Sequence, residues 1–124
     1  MAKRILIFTN HFYPEQFKIN EIVDWLSVKK SHIRVITGFP NYPKGKIHQE
    51  FANKSLKNIF SENVTINRLF LIPRGNGSNL ILLLNYLSYF ISCIVFTIYI
   101  AIFKKKYDVI FVHHTSPILI AIHP

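Results

Sequence analysis

Three stretches of the chain carry side chains suited to binding or proton transfer. The first is Asn10-His11-Phe12-Tyr13-Pro14-Glu15-Gln16-Phe17-Lys18-Ile19-Asn20-Glu21. It runs into a helical pattern, and free N–H groups at a helix start attract anions. Glu15 is a candidate ligand contact there, and Lys18 could reach a diphosphate. Each also has a plain structural reading: a carboxylate stabilised by the helix dipole, and a solvated charge on a turn. The second stretch is Gly38-Phe39-Pro40-Asn41-Tyr42-Pro43-Lys44-Gly45-Lys46. Its rings could stack on sugar faces and its lysines could hold phosphate, which makes Asn41, Tyr42, Lys44 and Lys46 candidates. The alternative is a rigid, Pro-punctuated turn. The third is His113-His114-Thr115-Ser116-Pro117. Either histidine could serve as a general base or a sugar contact, or simply satisfy a backbone carbonyl. No Gly-rich phosphate loop, metal-ligand spacing or Ser-His-Asp arrangement is present in the sequence, so a dinucleotide site and a metal centre are not expected. No catalytic residue is assigned.

The elements between these stretches explain why they should meet. Arg4 to Thr9 is a short, continuous apolar run, the pattern of a strand buried on both faces. Ile19, Ile22, Val23 and Leu26 fall at helical spacing and predict a helix from near Glu15 to Lys29. Lys29 and Lys30 suit its carboxyl end. A second strand is expected over Ile33 to Thr37, completing a βαβ unit with parallel strands. Val64 to Phe70 predicts a third strand and Val109 to Val112 a fourth. Ile47 to Asn63 reads as irregular or briefly helical, and Ile118 to Ile122 as the start of another helix. The fold class is therefore α/β: a partial Rossmann-like domain with a parallel sheet of about four strands. Ligands of such sheets sit beyond the carboxyl ends of the strands, where the three stretches lie.

Leu80 to Phe103 contains no charged residue. That length meets the usual criterion for a membrane span, about 20 residues across a ~30 Å core. A four-residue joint to the next strand argues instead for a crossover helix that packs back on the sheet. At ~1.5 Å per residue it would run ~36 Å, against ~17 Å for a five-residue strand, and so overhang the sheet. Asn85, Ser88, Ser92 and Tyr99 share one side, and no charge appears elsewhere. Of three readings the favoured one is a crossover helix whose outer face dips into lipid. A full span, and burial under a missing partner domain, are the others. Leu83, Ile94, Lys104, Lys105 and Lys106 are the candidate membrane contacts.

The 124 residues allow one domain, and 50% apolar content excludes disorder. Fifteen Lys and Arg against six Asp and Glu give a formal charge of +9. That favours anionic partners: phospholipid headgroups or pyrophosphate-linked substrates. The basic residues are scattered rather than interleaved with aromatics, so nucleic acid is not an expected partner. Cys93, the single cysteine, lies in the apolar run and reads as a small hydrophobe.

Taken together, "NHFYPEQFKINEI", "VITGFPNYPKGKI", "LIPRGNGSNLILLLNYLSYFIS" and "YDVIFVHHTSP" resemble one family. It is the retaining GT-B glycosyltransferases of the family-4 type that serve O-antigen, capsule and colanic-acid assembly, particularly the fucosaminyltransferase-like branch. The resemblance covers nearly the whole chain in matching order, and "TGFPNYPKGKI" is its most specific tract. It implies an acceptor-side amino-terminal domain, incomplete over residues 1–124, with the donor-binding carboxyl-terminal domain absent. It implies transfer from a nucleotide sugar to a polyprenyl-diphosphate-linked sugar acceptor, without metal or resident cofactor, at the cytoplasmic face of the inner membrane. The 124-residue chain alone is expected to be inactive. Two departures stand out. Ser31-His32 replaces the family's Gly-His, which is expected to put Ser31 in a left-handed helix cap. His113-His114 replaces a Tyr-Gln-type pair.

Overall fold

The computed structural model describes residues 2–41, 44–47, 61–103 and 106–113. Four strands form one sheet: β1 (Arg4–Thr9), β2 (His32–Gly38), β3 (Val64–Leu69) and β4 (Val109–His113). Their order is β3-β2-β1-β4 and every pairing is parallel. The α/β expectation and the four parallel strands hold. The segments 48–60 and 114–124, where a brief helix and the start of another were expected, lie outside the described residues, as do Tyr42, Lys104 and Lys105; His114 falls in the second segment.

Among the described residues two helices cover opposite faces. The first, α1 (Lys18–Val28), joins β1 to β2, and the second, α2 (Asn79–Phe103), joins β3 to β4. Successive strand residues point to opposite faces, so Ile5 and Ile7 of β1 pack with Ile19 and Val23 of α1. Leu6 and Phe8 pack on the other side with Tyr89, Cys93, Phe96 and Ile100 of α2. The chain steps from β1 to β2 to β3 in one direction. It then returns over the sheet through α2 to set β4 on the far side of β1. Opposite directions of travel put the two crossovers on opposite faces, as right-handed connections require. β1 is thus the strand at which the order reverses.

Three local expectations need correction. The first helix begins at Lys18 rather than near Glu15. The turn that places Glu15 N on the Phe12 carbonyl (3.0 Å), followed by extended Phe17, delays it. The left-handed residue after α1 is Lys30 (φ 57°), not Ser31. Ser31 is buried instead, and its carbonyl accepts from Asn63 Nδ2 (2.6 Å). β3 ends at Leu69, one residue short of Phe70. The backbone of residues 70–72 turns to α2 for its hydrogen bonds.

Those bonds account for Asn85, Ser88 and Ser92 of the polar stripe on α2, while Tyr99 is exposed. Asn85 Nδ2 donates to the Ile72 carbonyl (2.5 Å), Ile72 N–H donates to Ser88 Oγ (2.8 Å), and Ser92 Oγ donates to the Phe70 carbonyl (2.7 Å). Tyr89 Oη reaches the carbonyls of Thr9 (2.8 Å) and Ile36 (3.1 Å). Burial holds the Tyr89 phenol above its ordinary range, so it stays a donor. The helix therefore turns its polar side inward. Leu80, Leu83, Leu87, Phe90, Ile94 and Ile98 face outward and exposed. This is the reverse of a helix on a water-facing surface.

Candidate functional site

The carboxyl edge of the sheet gathers the loops after β1, β2 and β3. Glu15 holds the first two together. Its Oε2 accepts from His11 Nδ1 (2.8 Å), and its Oε1 accepts from the backbone N–H of Asn41 (2.9 Å). Glu15 and His11 are both buried, and the His11 ring stacks on Phe17 at 4.8 Å. A buried carboxylate needs hydrogen-bond donors in place of water, and each of its oxygens meets one here.

Asn41 joins the second loop to the third. It is 1% exposed; its Oδ1 accepts from Arg74 N–H (3.2 Å) and its Nδ2 donates to the Phe39 carbonyl (3.0 Å). Beside it Gly75 N–H donates to the Gly45 carbonyl (2.9 Å). Gly45 has φ +71°, and a Cβ there would meet Gly75 O at 1.9 Å, so glycine is required by both conformation and space. Arg74 continues to α2 through a bond from its guanidinium to Tyr86 Oη (2.9 Å).

Arg68, at the end of β3, braces the floor. Its guanidinium donates to the carbonyls of Gly38 (3.3 Å) and Tyr13. Burial pulls its pKa down to about 10, with the Glu15 carboxylate pulling the other way. Across β1, Thr9 Oγ1 donates to the His11 carbonyl (2.8 Å) and lies 3.2 Å from His113 Nδ1. With the hydroxyl proton committed to the carbonyl, the Thr9 oxygen faces the His113 ring as an acceptor. His113 lies between β1 and β4, where the strand order reverses and such sheets place their ligands.

Of the candidates read from sequence, the structure brings Glu15 and Asn41 into direct contact, both as buried ties between loops. Lys18, the first residue of α1, and Lys44 and Lys46 are exposed around them. His113 stands across β1 from this cluster. The residues that sequence reasoning passed over are His11, Arg68, Arg74, Tyr86 and Tyr89. His11 and Glu15 at i and i+4 were a readable pair. The others were not, because their partners lie 12 to 80 residues away. Among the described residues no group of His, Cys, Asp and Glu is placed to hold a metal ion.

Compared with known proteins, the chain matches no family model, no curated sequence and no solved structure.

Proposed function

We propose that the chain is the acceptor-side, amino-terminal portion of a GT-B glycosyltransferase that acts on a polyprenyl-diphosphate-linked sugar at a membrane surface. One observation carries this reading. Three of the four tracts that bear the family resemblance, 10–22, 35–47 and 71–92, are far apart in sequence yet tied to one another at the carboxyl edge through Glu15, Asn41, Gly45 and Gly75. Around that rigid tie, Lys18, Lys44 and Lys46 offer cations to a diphosphate, and His113 stands across β1 as the candidate sugar contact. The donor nucleotide sugar belongs to a carboxyl-terminal domain in this reading, so transition-state charge on the leaving diphosphate is stabilised by residues outside the chain.

The membrane part rests on α2. Both of its ends return to the same sheet, its polar stripe is spent on the domain, and its apolar side is bare. By length and composition it could cross a bilayer, but with one side docked it suits lying in the interface. A small basic membrane-binding protein without enzymatic activity shares this feature, and ligand titration separates the two.

Calorimetric titration with a short-chain prenyl-diphosphate-linked sugar is expected to show saturable binding to the chain, and UDP-sugars none. Absence of acceptor binding, or micromolar saturable binding of the nucleotide sugar, overturns the assignment. Vesicle binding without acceptor binding favours the non-enzymatic alternative.

A further inference from the structure

The sheet face that carries α2 is apolar where the helix packs on it, through Leu6, Ile36, Leu69 and Ile100. Nearer the amino-terminal edge the same face becomes basic. Register sets Arg4 beside His32, Leu6 beside Arg34 and Arg34 beside Thr65. Side chains alternate along a strand, so Arg4, His32, Arg34 and Thr65 all share the face of Leu6. Two arginines therefore stand near the starts of neighbouring strands, both half-buried.

These residues line a single hollow of about 420 Å³, whose walls include Arg4, His32, Arg34, Glu62, Thr65 and Tyr107. Both guanidinium groups are held by neighbours. Arg34 Nη1 donates to Asn67 Oδ1 (2.9 Å), and the Arg4 guanidinium lies 5.3 Å from the Tyr107 ring centroid. Among the described residues the bond to Asn67 is the only hydrogen bond that either guanidinium makes, and no carboxylate lies within ion-pair distance of either. Asp108 accepts from the backbone N–H of Arg4 (2.7 Å), and Glu62 lines the hollow without an ion pair. A guanidinium carries five N–H donors, so most of the donors here are uncommitted.

We propose that this hollow binds the phosphate of a phosphate monoester, with Arg4 and Arg34 as its cationic partners. Guanidinium pairs with phosphate through parallel N–H···O bonds, and two such groups lining one hollow match the double charge of a monoester. A carboxylate ligand brings one charge only. Glu62, exposed on the wall, opposes the anion and tempers its affinity. The hollow lies at the opposite edge of the sheet from the cluster around Glu15 and Asn41, so the proposal does not rest on the glycosyltransferase reading. A free phosphate ester and a lipid headgroup offer the same terminal phosphate, and the experiment separates the two sources.

The full chain, kept in a nonionic detergent, is titrated with glycerol phosphate, dihexanoyl-phosphatidic acid and acetate, followed by calorimetry and amide NMR shifts. Glycerol phosphate is expected to saturate, with shifts centred on residues 32–34 and 62–65. Tighter binding of the phosphatidic acid at the same amides supports the site with a lipid headgroup as its ligand, and equal binding supports it with a free ester. Arg4→Gln and Arg34→Gln should each weaken binding roughly tenfold, because each removes a charge-assisted bond. Glu62→Gln should tighten it roughly two- to fivefold, the worth of an exposed charge. A gain of affinity cannot come from a damaged fold, so this variant decides the matter even if an arginine variant fails to fold. Shifts centred on residues 44–46, acetate binding as tightly as glycerol phosphate, no gain in Glu62→Gln, or no saturable binding would each overturn the site. Failure of the prenyl-diphosphate titration would leave it standing.

Discussion

Glu15 and Gly45 show how single residues hold the carboxyl edge. Glu15 satisfies two buried donors from different loops, so removing its carboxylate strands both. Glu15→Ala is expected to destabilise the chain by about 2–3 kcal/mol in denaturant titration, and Glu15→Gln by less, because an amide still offers one acceptor. A cost for Glu15→Ala below ~0.5 kcal/mol would show that the tie is not formed in solution. Gly45 and Gly77 make a sharper pair. Both have positive φ, but a Cβ at Gly77 meets nothing within 4 Å, whereas at Gly45 it strikes the Gly75 backbone. Gly77→Ala should cost about 1 kcal/mol for conformation alone, and Gly45→Ala clearly more. Equal melting temperatures for the two variants would contradict the contact between the second and third loops.

At the scale of elements, α2 is the unusual one. Of its residues, Asn85 and Ile100 alone count as buried among those described, and it docks through four side chains that bond to backbone atoms of other segments. Hydrogen bonds of this kind retain their value where the outside medium is lipid and the hydrophobic effect no longer drives helix packing. Leu83 and Ile94 are 61% and 45% exposed, as expected for outward positions. Replacing both with Glu should leave the thermal melt within ~4 °C, since each surface change rarely exceeds ~0.5 kcal/mol. The same pair should abolish the salt-resistant part of vesicle binding. A large drop in melting temperature would mean that this side of α2 is covered in the folded protein.

The whole molecule couples a basic surface to that apolar helix. With a formal charge of +9, its attraction to anionic vesicles is expected to fall as salt shortens the Debye length from ~10 Å at 0.1 M to ~3 Å at 1 M. Contact through α2 does not depend on salt, so sedimentation with vesicles should decline to a plateau above zero. Complete release at high salt would leave electrostatics as the sole attachment and remove the helix from the membrane reading.

The sequence by itself determined the strands, their parallel pairing and the long apolar crossover. Those features come from local periodicity: Ile5 to Phe8 and Val109 to Val112 are apolar without a break, and Ile19, Val23 and Leu26 mark one helical stripe. It also brought attention to Glu15, Asn41 and the Pro-Gly loop, where turn chemistry is written in neighbouring residues. Only the tertiary structure decided what those residues touch. Asn41 meets Arg74, Arg68 meets the carbonyls of Gly38 and Tyr13, and Tyr89 meets Thr9 and Ile36 because the sheet order brings distant segments together. The inward turn of the α2 stripe was undecidable from periodicity, since a polar side can face either water or unsatisfied backbone. The carbonyls and amide at residues 70–72 settle it, because Asn85, Ser88 and Ser92 supply their hydrogen-bond partners.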